Sequence, residues 1–350
     1  MKKILLSLTI MICSLASVYA SGIEKNKSSP LKSVNVVTFQ GGWNLPVWVA
    51  QQKGFFAKNG LDVEMEYTAN SGQLVKDLLE RKYDIAVAGI DNVIAYQEGQ
   101  GAVPVTNPDM FAFYGVDNGL LSLVARPEIK SVSELKGKKV SVDALTTGYA
   151  FVIRNYLEQN GLTDKDVTYS SVGSTNDRFN ALLAGTTDAT LLRTPLNLQA
   201  REKGLTILAS GSELGNYQGT VGVTTRSWAA HHQDELVGFI RGYLDGLNWI
   251  YDDNNRKEAE SILVSKAPGM TPEIAGVALQ ELLHNGLQRD AAINPQGIKN
   301  VLELRNRLGE AANMLTDEHK YYDSRYYDLA VKIPSHSLSI DSGSGTLLSK

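Results

Sequence analysis

Cysteine occurs once in the 350 residues, at Cys13. A disulfide within the chain is therefore excluded, and past that position so is thiolate chemistry. A surplus of one charge is also missing. Lys and Arg total 34 against 38 Asp and Glu, a formal net charge of −4, with no basic run or stripe. Nucleic acid and anionic membrane surfaces are poor partners for such a chain. After residue 20 no apolar stretch approaches the ~20 residues of a spanning helix, so no stable membrane insertion is expected. Motifs of catalysis are lacking too: no glycine-rich phosphate loop followed by lysine, no nucleophile elbow, no His-Glu-x-x-His. The five histidines, His231, His232, His284, His319 and His336, all fall in the C-terminal half. His231 and His232 are adjacent near a helix start and would point in different directions, a poor metal pair. No metal, cofactor or catalytic residue is expected, and no internal repeat is visible.

What is present begins with export grammar. Lys2 and Lys3 precede the apolar run Ile4 to Leu15, and Val18-Tyr19-Ala20 places small residues where a signal peptidase reads. Residues 1–20 are expected to be removed, leaving a protein that works in the periplasm. Losing Lys2 and Lys3 takes the charge from −4 to about −6. Lipid attachment at Cys13 is disfavoured, because a large residue, Ile12, stands directly before it. Residues 21–32 and 335–350 are polar or Gly/Ser-rich, and read as a flexible leader and a disordered tail.

Between them, short β-branched runs alternate with helical patterns. Val34 to Phe39 reads as a strand, Leu45 to Asn59 as a helix stopped by Gly60, and Leu61 to Tyr67 as a strand. Gly72 to Arg81 reads as a helix with Ser71 as N-cap, Asp84 to Ala88 as a strand, and Asp91 opens the next helix. Crossover helices imply parallel pairing. Two strand-like runs, Phe111 to Val116 and Leu120 to Ala125, then interrupt the rhythm. The alternation restarts at Lys139 and continues to strands at Leu205 to Ala209 and Gly219 to Thr224. From Ala230 onward four or five helices are expected. The pattern is α/β, with one unit inserted in another: 33–118 and 223–334 form lobe 1, and 119–222 form lobe 2. Two crossings, near 116–121 and 219–224, make a hinge. Ligands bind beyond the carboxyl ends of strands in open α/β sheets, so two such edges facing across a hinge form a cleft that closes.

Pro46-Val47-Trp48-Val49-Ala50, then Lys53-Gly54-Phe55-Phe56 and Asn59-Gly60-Leu61-Asp62-Val63, form a distinctive run. Tyr83 to Gly89, Ser133 to Val140, Leu183 to Ala189 and Tyr321 to Asp328 follow it in order. Together they resemble periplasmic ABC-transporter substrate-binding proteins of the nitrate/sulfonate/taurine and thiamine-precursor (pyrimidine) binding family. The resemblance covers nearly all of residues 34–332. It implies a type II periplasmic-binding-protein fold, two doubly wound sheets joined by a two-strand hinge. It also implies a monomeric solute binder that delivers a small polar ligand to an ABC importer permease. A sulfonate or other small organic anion is the first expectation. A planar heterocycle such as a pyrimidine vitamin precursor, or a periplasmic sensor role, is the alternative. A pyrimidine-synthase enzyme is disfavoured, since its cysteine-rich motif is absent.

Ligand-binding residues are sought in the loops after the strands. Trp43 and Asn44 follow the first strand. Trp43 offers a face for stacking or else packs under its loop, and Asn44 both donates and accepts. Asp91 and Asn92 follow the third, where Asp91 either caps its helix or accepts from the ligand. Thr146, Thr147, Gly148 and Tyr149 form the corresponding turn of the second unit, with hydroxyls and free N–H groups at a helix start. Arg193 and Thr194 end a later strand. Arg193 either clamps an anion or forms an inter-domain ion pair with Asp91 or Asp117. Asp117, Asn118, Tyr217 and Gln218 flank the hinge and complete the candidates.

Overall fold

The computed structural model describes residues 30–309 and 313–332. The proposed signal peptide and the 335–350 tail lie outside the described residues, as does nearly all of the leader. From Lys32 on, the chain forms one compact unit. Its elements, in order, are β1 (Lys32–Thr38), α1 (Leu45–Gln52), α2 (Phe55–Lys58), β2 (Leu61–Tyr67), α3 (Ser71–Leu79), β3 (Ile85–Gly89), α4 (Ile90–Gln97), β4 (Met110–Gly115) and β5 (Ser122–Ala125). Then come β6 (Lys139–Val142), α5 (Gly148–Gln159), β7 (Thr168–Ser171), α6 (Thr175–Leu183), β8 (Ala189–Leu192), α7 (Leu196–Glu202), β9 (Thr206–Ser210) and β10 (Thr220–Thr225). The helices α8 (Arg226–Ala229), α9 (Gln233–Ile250), α10 (Arg256–Lys266), α11 (Pro272–Glu281), α12 (Pro295–Leu308) and α13 (Arg325–Lys332) follow.

The strands make two five-stranded sheets, ordered β2-β1-β3-β10-β4 and β7-β6-β8-β5-β9. Strand β1 pairs in parallel with β2 and β3, as crossover helices require. The late strand β10 enters antiparallel between β3 and β4, and β5 enters antiparallel between β8 and β9. Both sheets are therefore mixed. Every residue of β10, inside the first sheet, and of β4, at one edge, is buried, whereas β2, at the other edge, alternates. Thr220 already pairs with Gly89, so the chain re-enters the first sheet at Thr220 rather than at 223, and most of the crossing expected near 219–224 is strand β10. The chain crosses between sheets at 116–121 and 211–219.

Two local expectations change. The helix expected over 45–59 is two helices, because Gly54 adopts φ +71, a left-handed conformation that glycine tolerates best. Helix α3 is capped by Asn70, whose side chain accepts from the Gln73 N–H at 2.8 Å; Ser71 is its first residue. One core cluster joins a face of the first sheet to α1, α2 and α9 through Trp48, Phe56, Phe113, Phe239 and Tyr243. A second runs from Val37, Ala86 and Val221 through Leu123 and Val140 to Ile298 and Val301. Helix α12 packs on α5 of the second sheet and also touches α4 of the first. It is a strut between the lobes. No described helix is long and apolar enough to cross a membrane.

Candidate functional site

A cavity lies where the two sheets' loops meet. From the first lobe come Phe39 and Trp43 after β1, Ser71 at the start of α3, and Gly89 to Asn92 at the β3–α4 junction. Gly219 and Thr220 open β10. From the second lobe come Asp143 after β6, Thr147 to Tyr149 entering α5, Thr175 and Arg178 in α6, and Arg193 after β8. Tyr217 of the second crossing completes the wall. The start of helix after helix faces one space because the parallel strands of β-α units put their carboxyl ends on one edge.

Of the sequence candidates, Trp43, Asp91, Asn92, Thr147, Gly148, Tyr149, Arg193 and Tyr217 line the cavity. Asn44, Asp117, Asn118, Thr146, Thr194 and Gln218 do not. Asn44 is buried and locks its own loop, accepting from Thr38 Oγ1 at 3.2 Å and donating to the Phe39 carbonyl at 2.8 Å. Asp117 is fully buried and ties the hinge. It accepts from Gly119 N at 2.8 Å and Thr220 N at 3.1 Å, and pairs with Arg193. Gln218 holds the same knot through the Asp117 and Thr220 carbonyls. Thr194 donates from its hydroxyl to Glu281. Thr146 contributes its carbonyl to Arg305 at 2.9 Å.

The ion pairs sort the charges. Arg193 takes the pairing alternative: Asp117 neutralises it while it lies 3.7 Å from the centre of the Trp43 ring. Asp91 does not cap its helix by side chain; Arg305 of α12 grips it through Nε at 2.8 Å and Nη2 at 2.6 Å. Two cavity charges then have no ion-pair partner among the described residues, Arg178 and Asp143. Arg178 is 3% exposed. It hydrogen-bonds only neutral oxygens: Gly173 O, Thr190 Oγ1, Leu191 O and Thr175 Oγ1. Burial pulls its pKa down and the Asp143 charge pushes it back. Asp143 accepts from the Ser71 backbone N–H at 3.2 Å, across the cleft. Burial raises the phenols of Tyr149 and Tyr217, so both stay protonated donors. Three buried polar atoms on the wall, Ser71 Oγ, Thr220 Oγ1 and Arg193 Nε, find no partner at hydrogen-bond distance among the described residues.

The lobes meet tightly around this space. Gly42 N donates to Thr194 O at 3.0 Å, and Arg305 reaches Thr146 O. A Cβ on Gly148 would lie 2.5 Å from Cβ of Asp91, so only glycine lets α5 approach this closely. Sequence reasoning missed Ser71, Asp143, Arg178, Thr220 and Arg305. Asp143 sits directly after β6 and obeys the strand-end rule that found the others.

Residues 44–256 match the family described as NMT1/THI5 like. The chain belongs to this family. A relative from Bacillus subtilis (strain 168), YtlA, is provisionally named a binding protein. It is 27% identical over 242 residues, covering 67% of this chain and 70% of its own. Among solved structures, the periplasmic nitrate-binding protein NrtA from Synechocystis PCC 6803 superposes with TM-score 0.73 at 13% identity, over 87% of this chain and 90% of that one. The alkanesulfonate-binding protein SsuA from Xanthomonas axonopodis pv. citri, bound to MOPS, gives 0.66 at 17% identity, over 83% and 96%. The NMT1/THI5-like chain therefore has the two-lobed periplasmic-binding-protein fold.

Proposed function

We propose that this NMT1/THI5-like protein is an extracytoplasmic solute-binding protein that holds one small polar organic molecule between its lobes and hands it to an ABC importer. The carrying observation is the unpaired charge couple in the cleft. Neither Arg178 nor Asp143 makes a close ion pair among the described residues; they line the same cavity and act on each other only at longer range. A desolvated charge without a counter-ion is costly, and a ligand that supplies one relieves that cost. The ligand class is a small organic anion, sulfonate or carboxylate, that also carries N–H donors. Its anionic group faces Arg178 and its donors face Asp143. Ser71 Oγ, Thr220 Oγ1 and Arg193 Nε take further polar contacts. Closure by ligand contact with both lobes would then stabilise the form an importer recognises. Binding without catalysis is our reading, since the lining holds no histidine or cysteine.

A second reading rests on the aromatics. Phe39, Trp43, Tyr149 and Tyr217 around one cavity also suit a flat heterocycle, with Asp143 accepting from a ring amine. Titration calorimetry on the ligand-stripped protein separates the two, using aminosulfonates, alkylsulfonates, small carboxylates, amino acids and aminopyrimidines. Binding of an acid that Arg178→Gln weakens supports the first. Binding of an aminopyrimidine that Asp143→Asn weakens and Arg178→Gln spares supports the second. No heat from any member would remove both.

A further inference from the structure

Beyond the cleft, a second and larger pocket, about 1370 Å³, opens beside the two chain crossings. Asn118 and Ser122 border it from the first crossing, Asn216 from the second, Asn197 from α7, and Glu281 and His284 from the end of α11 and the turn after it. Tyr217 lines both this pocket and the cleft. Amides and hydroxyls predominate in the lining, beside Leu120, Leu121 and His284, with one carboxylate and neither Lys nor Arg.

Glu281 is the unusual member. Its carboxylate receives the Thr194 hydroxyl and the Asn197 amide, at 3.2 Å to each oxygen, so a first-lobe residue is held by two neutral second-lobe donors. No cation pairs with it among the described residues. Asn197 is 6% exposed, and its Oδ1 has no hydrogen-bond partner among the described residues. An unbalanced carboxylate and an orphaned buried acceptor therefore border one cavity. Both deficits call for a donor with positive charge.

We propose that this hinge pocket is a second binding site, for a small protonated amine, with Glu281 as its anionic acceptor. The site is independent of the cleft ligand's identity. An amine here touches both lobes and Tyr217, so its occupancy bears on the cleft by linkage.

The test uses the full secreted protein in an amine-free buffer, with protonated ethanolamine as probe and ethylene glycol and sodium chloride as controls. Calorimetry and thermal unfolding are read together. Saturable binding and a rise in Tm are expected with ethanolamine alone. Glu281→Gln should weaken it at least tenfold. His284→Arg places an internal guanidinium at the exposed rim, should block the probe in the same way, and carries little risk to folding. Trp43→Ala, in the cleft, should leave amine binding intact. Absence of saturable binding to the wild-type protein overturns the proposal. So does unchanged binding in both hinge variants, or loss in Trp43→Ala with retention in Glu281→Gln.

Discussion

At the residue scale, the proposed anionic ligand rests on Arg178. Its four hydrogen bonds go to neutral oxygens, and its charge has no close ion-pair partner among the described residues. Replacing it with glutamine should remove a charge-assisted contact of about 1.5–3 kcal/mol, roughly a 10- to 100-fold rise in Kd for an anionic ligand. Calorimetry at two salt concentrations reads this, and a Kd unmoved by the change would remove Arg178 from the site. Gly148 makes a different point at the same scale. Gly148→Ala inserts a methyl group where Asp91 already stands. The expected outcome is a lower ligand affinity with Tm nearly unchanged, because an open form accommodates the methyl. A large drop in Tm without ligand would show instead that the lobes cannot part there.

Helix α12 carries the element-scale argument. Arg305 projects from it to bind Asp91 and Gln100 in the first lobe and the Thr146 carbonyl in the second. Arg305→Met keeps the bulk but leaves Asp91 buried and unpaired, a loss of about 3–5 kcal/mol by denaturant titration. The double change Arg305→Met, Asp91→Leu should recover much of it, since the cost lies in the orphaned charge. This contact also marks the limit of what the sequence discloses. Strand ends were legible from β-branched runs and glycine stops, and they led to Trp43, Asp91, Gly148 and Arg193. Arg305 lies 214 positions from Asp91, inside a helix whose other charged residues face solvent. No local pattern distinguishes it. Arg178 was hidden in the same way, one turn inside α6 rather than in the loop before it.

The whole molecule has a pH signature written mostly in tyrosine. Burial raises the phenols of Tyr96, Tyr114, Tyr156, Tyr217 and Tyr243 above their ordinary value of ~10. A raised folded-state value means that the stabilisation is complete below pH ~10 and is lost as pH climbs above it, because only the unfolded chain ionises freely. Alkaline titration should therefore show the last part of the phenolate absorbance, that of these five buried tyrosines, appearing together with loss of fold. Ionisation of all fifteen tyrosines with the fold intact would contradict this. In solution scattering, ligand should narrow the distribution of shapes toward the closed form described above. An identical profile with and without a tight ligand would argue against hinge closure.

The path of the chain has a further consequence, for the order of assembly. Every strand of the second sheet lies between Ser122 and Ser210, so that sheet is complete in one continuous stretch. The first sheet waits for β10, which must slot between β3 and β4 more than a hundred residues after β4 has been made. Until then β3 and β4 present unpaired backbone edges with nothing between them. Contacts so distant in sequence form slowly, and open strand edges invite association with other chains. The early half of the first lobe is thus the segment that most needs shielding while the polypeptide is incomplete. Truncations ending before Thr220 should aggregate, and those ending after Thr225 should begin to resist.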